Sequence, residues 1–476
     1  MISSRRSVLK AAGGTLIGAS VAGCLWAGPE QGSADPVRRR HAMGPDLDVD
    51  LGASEVSTAI DPDEYDDQFS RYVHLADEMG ADPTGQEDAT PVIESAWSND
   101  TLIDFGDGEY KMNSRVRRMG SENVGLIGQN AVIRHGDVEA INGHTVTSGE
   151  YIGNTILFNI GSGDDRYEPH YGTFLLGGFT FDWGWHYDAG MQATSAQVDG
   201  TLEIRNIQFA GVHSLGTHGN LRVGTLSPSS TGLVDSIDMR GGGLHYRNTI
   251  NTRSTDHYTG SPGEGIPPSW STSGITGISR QQGTLHVNNV WCGGWPDNGI
   301  YVQGGEGRKI VSNCVSANSN VSNIRVNGGD VWEPVPYLDD ESSRYYDQTT
   351  VEDCLVIVDQ QPDEEVHTSQ RGIWLRNGRG KIRDSEVILA RGGLSTGAGG
   401  SYAVGVLGGV SEATVENLRI ELHDRTNALY ISSGGDVSVS GVEIETIGWD
   451  AGLGTLISGG GSPSLEDIVA NGSAIA

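Results

Sequence analysis

The 476-residue chain predicts an all-β fold, a solenoid wound from coils of three short parallel strands. Three observations predict it. First, a six-residue pattern recurs eight times, at 204–209 (IRNIQF), 234–239 (VDSIDM), 287–292 (VNNVWC), 311–316 (VSNCVS), 351–356 (VEDCLV), 382–387 (IRDSEV), 415–420 (VENLRI) and 439–444 (VSGVEI). Position one is always Val or Ile, and positions four and six are mostly apolar, Ser316 being the exception at position six. Strict strand alternation would put positions one and four on opposite faces, so the chain must turn between them. Position three holds Asn206, Ser236, Asn289, Asn313, Asp353, Asp384, Asn417 and Gly441, types that tolerate a left-handed backbone and bond their own main chain.

The second observation is an alternating element after five of the copies, at 298–305, 323–329, 372–378, 402–409 and 427–434. Its pairs Ile300/Val302, Ile324/Val326, Ile373/Leu375, Val404/Val406 and Leu429/Ile431 point one way. The third is spacing: successive copies start 24 to 53 residues apart, a minimum coil with loops inserted at its corners. This pattern resembles the right-handed, single-stranded parallel β-helix of the pectate-lyase-like superfamily, over roughly residues 121–460, with an asparagine ladder at one turn. That superfamily hosts lyases, hydrolases, esterases, epimerases and adhesins, so the resemblance speaks to fold before activity.

Ahead of the solenoid, residues 1–24 read as an export signal. Ser4-Arg5-Arg6-Ser7-Val8-Leu9-Lys10 resembles a twin-arginine motif, and Val21-Ala22-Gly23-Cys24 resembles a lipobox that would make Cys24 the lipidated first residue of the mature protein. The combination resembles the export signals of halophilic archaea, and the resemblance implies a place on the outer face of the cell membrane. Residues 25–66, rich in Pro and Asp, read as a disordered tether. Residues 67–120 are expected to form an N-terminal helical cap: a helical stretch flanked by Phe69, Val73, Leu75 and Met79, then a helix with Thr90 as N-cap and Pro91 first. This layout resembles the segment opening many β-helix enzymes. Residues 461–476 are left as a C-terminal tail.

Composition narrows the partners. With 62 acidic against 31 basic residues the net charge is −31, which repels nucleic acid and anionic membranes. Such a charge suits molar salt, where the Debye length shrinks to about 3 Å. The internal cysteines, Cys292, Cys314 and Cys354, form no CxxC pair, so zinc is not indicated. Cys314 and Cys354 share position four and should stack inside the solenoid, as thiols or as a disulfide.

Chemistry is expected on the outward face of the alternating element. Its residues are Arg222; His245 and Arg247; Tyr301 and Gln303; Arg325 and Asn327; Trp374 and Arg376; Leu407; Tyr430 and Ser432. Arginine forks pair with carboxylates and sulfates, and aromatic faces stack on sugar rings. The competing reading is that these arginines neutralise neighbouring acidic side chains. Insertions at 248–282 and 328–350 border this face and carry acidic and aromatic residues, as does the run 183–188.

The superfamily resemblance implies an arginine base that takes the proton α to a uronate carboxylate, with calcium held by acidic residues. Arg325 is the closest match, Arg247 and Arg376 are alternates, and Asp297 and Asp330 are the nearby oxygen ligands. Tyr301, Gln303, Asn327, Trp374, Arg376, Arg247 and His245 would bind substrate. A glycosidase would instead pair Asp297 with Asp330 or Asp256. The expected partner is an acidic polysaccharide or cell-envelope glycan, with β-elimination favoured over a non-catalytic surface role.

Overall fold

The computed structural model describes residues 56–138, 140–142, 145–163, 166–184, 191–213, 219–243, 272–328, 349–360, 370–390, 401–423, 425–450 and 452–476. Within them the chain is a right-handed parallel β-helix, the hand that parallel crossovers take. Lys309–Ser312, Val315–Ala317 and Ser322–Val326 make one coil. Each pairs in parallel with its counterpart in the next coil, Thr349–Glu352, Leu355–Val358 and Arg371–Arg383. Stacking these coils produces three sheets, here called A, B and C in chain order.

The repeat pattern explains the geometry. Every residue at positions one, four and six of the eight copies is 4% exposed or less. All eight residues at position three have positive φ, between 49° and 63°. The left-handed residue bends the chain between sheets A and B, so positions one and four both face inward. The turn side chains also stitch coils together: the Asn313 amide donates to Asn288 Oδ1 (2.8 Å), and the Asn289 amide to Ser236 Oγ (3.1 Å).

Two further copies carry the same turn. Leu176, Phe179 and Phe181 pair with Ile204, Ile207 and Phe209 around Gly178 (φ 79°), and Leu465, Ile468 and Ala470 pair with Val439, Val442 and Ile444 around Asp467 (φ 53°). The solenoid therefore runs past residue 460. What was expected as a tail is a last parallel strand, Ser464–Ala470, closed by an antiparallel partner, Ser473–Ala474. That hairpin covers an edge that would otherwise offer unpaired backbone groups.

The N-terminal segment differs from expectation in the same direction. Residues 56–66, expected to belong to a disordered tether, pack on the solenoid: Ile60 and Tyr65 are buried against Leu102, Ile127 and Leu175, and the Tyr65 hydroxyl donates to Glu203 (2.7 Å). Instead of a helical stretch around Phe69–Met79, Arg71–His74 is a strand paired in parallel with Thr101–Asp104, with Val73 facing inward. Pairing with an open solenoid end outweighs the local helical pattern. The helix Thr90–Ala96 is present, but Ala89 is its N-cap and Thr90 its first residue. Both the Thr90 amide and hydroxyl are instead donated to Asp88 Oδ1 (3.0 and 2.7 Å).

Cys292, Cys314 and Cys354 are buried free thiols. Burial pushes the Cys314 thiol well above its ordinary value, and the neighbouring Cys354 adds to this. Buried stacked thiols are thus inert core residues here.

Candidate functional site

Sheet C holds the alternating elements Asn298–Val302, Ser322–Val326, Arg371–Arg383, Tyr402–Glu416 and Asn427–Ile431. Their apolar pairs are buried inside the solenoid. Outward, register places Tyr301 beside Arg325, Arg325 beside Trp374, Trp374 beside Gly405, and Gly405 beside Tyr430.

The side chains in and beside this row form a ladder of planar groups. The Arg325 guanidinium lies 4.3 Å from the Tyr301 ring and 4.4 Å from the Trp374 ring. Arg371 covers Trp374 at 4.4 Å and approaches Tyr402 at 5.3 Å. Tyr402 stacks on Tyr430 with centroids 5.2 Å apart and planes 10° from parallel. A further cation, Arg376, stands 5.9 Å from Trp374. Each such contact contributes about 0.5–2 kcal/mol, more as water is excluded.

Two members, Arg371 and Tyr402, come from an adjacent row. Gly372 and Ile373 both face inward between Arg371 and Trp374, so residues three apart both point out. Tyr402 reaches the ladder because its neighbour in the row is Gly405; a Cβ there would overlap the Tyr402 ring. Strict alternation hides this irregularity, which is why sequence reasoning missed both residues.

The arginines here differ from those on the rest of the surface. Arg134, Arg205, Arg379, Arg383, Arg419 and Lys381 all lie within ion-pair distance of Asp or Glu. Arg222, Arg325 and Arg376 have no carboxylate within 4.0 Å among the described residues. Among the described residues these three are thus not held in ion pairs, though the Asp297 charge acts on Arg325. Arg325 Nε, Trp374 Nε1 and Asn327 Oδ1 are buried with no hydrogen-bond partner among the described residues.

Asp297 sits at the corner leading into Asn298–Val302 and is only 8% exposed. Ser273 Oγ donates to its Oδ2 (3.2 Å), and Ser322 Oγ to Asn298 Oδ1 (2.7 Å), within a buried polar patch. Burial raises the Asp297 pKa to about 6, while the Arg325 charge and bonds from Ser273 and Asn298 pull it partly back. Burial also lowers the Arg325 pKa, against the fields of Tyr301 and Asp297, and Arg376 lowers it further.

Of the expected site residues, Tyr301, Arg325 and Trp374 are neighbours, and Asp297 is close enough for its charge to act on Arg325. The face is less open than expected, since Trp374 is 9% exposed. Gln303 is half-buried and Arg376 exposed. Asn327 is buried; its backbone N–H donates to Val302 O (3.0 Å) and its backbone carbonyl accepts from Thr349 Oγ1 (3.1 Å). Asp330, Arg247, His245, Asp256 and Cys24 lie outside the described residues. Among the described residues no group of three or more His, Cys, Asp or Glu side chains could hold a metal ion. Of the two expected calcium ligands only Asp297 is among the described residues, and one carboxylate supplies at most two of the six to eight oxygens that calcium takes.

No protein-family model matches this sequence, and no curated protein sequence matches it significantly. The chain is similar to three solved structures among others. One is the catalytic unit of a thermostable GH87 alpha-1,3-glucanase from Streptomyces thermodiastaticus strain HF3-3 (15% identity, 85% of this chain, 69% of that chain, TM-score 0.40). Another is the Streptococcus pneumoniae surface protein and adhesin PfbA (13% identity, 83% and 96%, TM-score 0.39). The third is the mannuronan C-5 epimerase AlgE4 A-module of Azotobacter vinelandii (12% identity, 84% and 96%, TM-score 0.32).

Proposed function

We propose that the sheet C ladder binds an acidic polysaccharide at the cell exterior. The observation that carries this is the pairing state of its cations. Arg325 and Arg376 stand on an aromatic-lined face with no carboxylate within 4.0 Å among the described residues, in a protein of net charge −31. Because Tyr301 and Trp374 cover both faces of the Arg325 guanidinium, its N–H edge is what remains to meet a ligand. A guanidinium edge matches the two oxygens of a carboxylate or sulfate. The neighbouring ring edges supply apolar surface for sugar.

Catalysis is a second reading, favoured by the burial that lowers the Arg325 pKa, close to Asp297, whose own pKa is raised to about 6. In it Arg325 takes the proton α to a uronate carboxylate, and β-elimination leaves an unsaturated sugar. The glycosidase alternative pairs Asp297 with a carboxylate from 248–282 or 328–350. Location at the outer membrane face, held by lipid on Cys24, belongs to the same proposal and rests on the sequence motifs at Arg5-Arg6 and Cys24.

The test is binding of polygalacturonate, dextran sulfate and neutral dextran in high salt. Wild-type protein should retain the two polyanions and not the neutral polymer. Arg325→Ala should weaken retention by about 1.5–3 kcal/mol, the scale of a charged hydrogen bond. Equal retention of all three polymers refutes the binding reading. Absorbance near 235 nm in the polygalacturonate sample separates cleavage from binding alone.

A further inference from the structure

The row that holds Tyr301, Arg325 and Trp374 does not begin at Tyr301. Toward the N-terminus, Tyr301 pairs with Thr276, Thr276 with Arg222, Arg222 with Ser195, Ser195 with Asn159, and Asn159 with Arg117. Toward the C-terminus the row passes Gly405 and Tyr430 and reaches Ser458. Successive coils each contribute one residue to this line, and none of those residues is Asp or Glu. With coils about 4.8 Å apart the line is roughly 50 Å long.

Its arginines are regularly placed. Arg117, Arg222 and Arg325 are each three coils apart, about 14 Å at that spacing. Between them stand Asn159, Ser195, Thr276 and Tyr301; the first three have shorter side chains than arginine, and Ser195 is only 3% exposed.

The N-terminal end repeats the chemistry of the ladder. The Arg117 guanidinium lies 4.4 Å from the Tyr167 ring, much as Arg325 lies on Tyr301, and Tyr167 is 43% exposed. Arg117 Nε is buried with no hydrogen-bond partner among the described residues. Arg115, two residues back, is close enough that the Arg117 charge adds to burial in lowering its pKa. Neither has a carboxylate within 4.0 Å among the described residues, whereas adjacent Arg118 is paired with Glu94 at 3.5 Å. Two like charges held together without a counterion are costly unless an anion joins them.

We propose that Arg115, Arg117 and Tyr167 form a second anion-binding station, and that one long acidic polysaccharide chain lies along the helix axis from this station to the ladder. Exposed Arg222 is the contact midway. This rests on the reading that the ladder binds acidic glycan. It adds that the surface selects ligands by length. A single exposed station binds weakly in salt. A ligand reaching both turns the second contact into an intramolecular one, on a scaffold whose rigid sheet fixes the span.

The experiment uses oligogalacturonates and dextran sulfate fractions of two sizes, one too short to span six coils and one longer than the line. Isothermal titration in high salt compares wild type, Arg117→Ala, Arg117→Lys and Arg325→Ala. Arg117→Ala should lower affinity for the long probe about tenfold and leave the short probe unchanged, which also shows that the variant is folded. Arg117→Lys should recover part of the loss, and Arg325→Ala should weaken both sizes. Unchanged long-probe affinity in Arg117→Ala, or equal wild-type affinity for both sizes, overturns the second station and leaves the ladder reading standing. No wild-type binding of either polymer at either size overturns both.

Discussion

Gly405 and Tyr402 are complementary: the missing side chain of one is the space occupied by the ring of the other. Gly405 pairs with Trp374 on one side and Tyr430 on the other. Tyr402 fills that gap in the row and stacks on Tyr430. The ladder is continuous across this coil because the coil's own row position is empty.

Gly405→Ala should therefore break the ladder without removing any of its members. The new methyl group must displace the Tyr402 ring, which is 2% exposed and held by its neighbours. A loss of about 1–3 kcal/mol is expected in chemical denaturation, the usual scale of overpacking. The near-ultraviolet circular dichroism of the stacked tyrosines should weaken. A variant with wild-type stability and spectrum would show that the ring moves freely.

Asp297 gives the site a pH signature. Its pKa is raised from 3.8 to about 6, chiefly by burial, so the folded state keeps a proton that the unfolded chain releases. That contribution to stability is whole below about pH 4 and is lost as the pH rises through about 6. The sign is opposite to that of a salt-bridged carboxylate, and the size is at most about 3 kcal/mol. Asp297→Asn should accordingly gain stability over wild type at pH 7 relative to pH 4, by about 1–3 kcal/mol. A relative loss at pH 7 would place Asp297 in a favourable ion pair instead. Arg325→Ala should raise the Asp297 pKa further, because the guanidinium field lowers it.

Asn313 tests the turn. Its φ is 54° and its amide donates to Asn288 Oδ1 in the preceding coil. Asn313→Leu keeps the left-handed requirement, removes that bond and sets a branched side chain where it is disfavoured. Destabilisation of about 1–3 kcal/mol is expected. Asn313→Gly should lose less, since glycine accepts the backbone and forfeits only the hydrogen bond. Equal losses in the two variants would mean that strain plays no part.

The export segment makes a separate prediction in cells. Cys24→Ser should release the protein into the medium, and Arg5→Lys combined with Arg6→Lys should block export. Fractionation of cells and medium checks both. Unchanged membrane association of the Cys24→Ser protein would remove the lipid anchor from the proposal.

The solenoid was legible because its determinants are local. Val or Ile at position one, a left-handed residue at position three and an apolar residue at position four recur wherever sheet A passes into sheet B. Copies with Leu at position one, at 176–181 and 465–470, escaped because the apolar set was drawn too narrowly. The strand at Arg71–His74 escaped for another reason, since its pairing partner, Thr101–Asp104, lies in a different coil.

The sequence by itself determined the coil: which side chains face inward, where the chain bends, and that Tyr301, Arg325 and Trp374 occupy equivalent outward places. Tertiary structure decided what those outward residues do. Loops of irregular length separate the coils, so the line from Arg117 through Arg222 to Arg325 exists only once parallel pairing sets the register. Tyr402 enters the ladder only because a glycine from its own strand stands in the row, and the Asp297 pKa is raised because packing removes water. Inward burial follows from periodicity along one strand. Stacking, pairing and desolvation are relations between strands, and they arise when the coils close on one another.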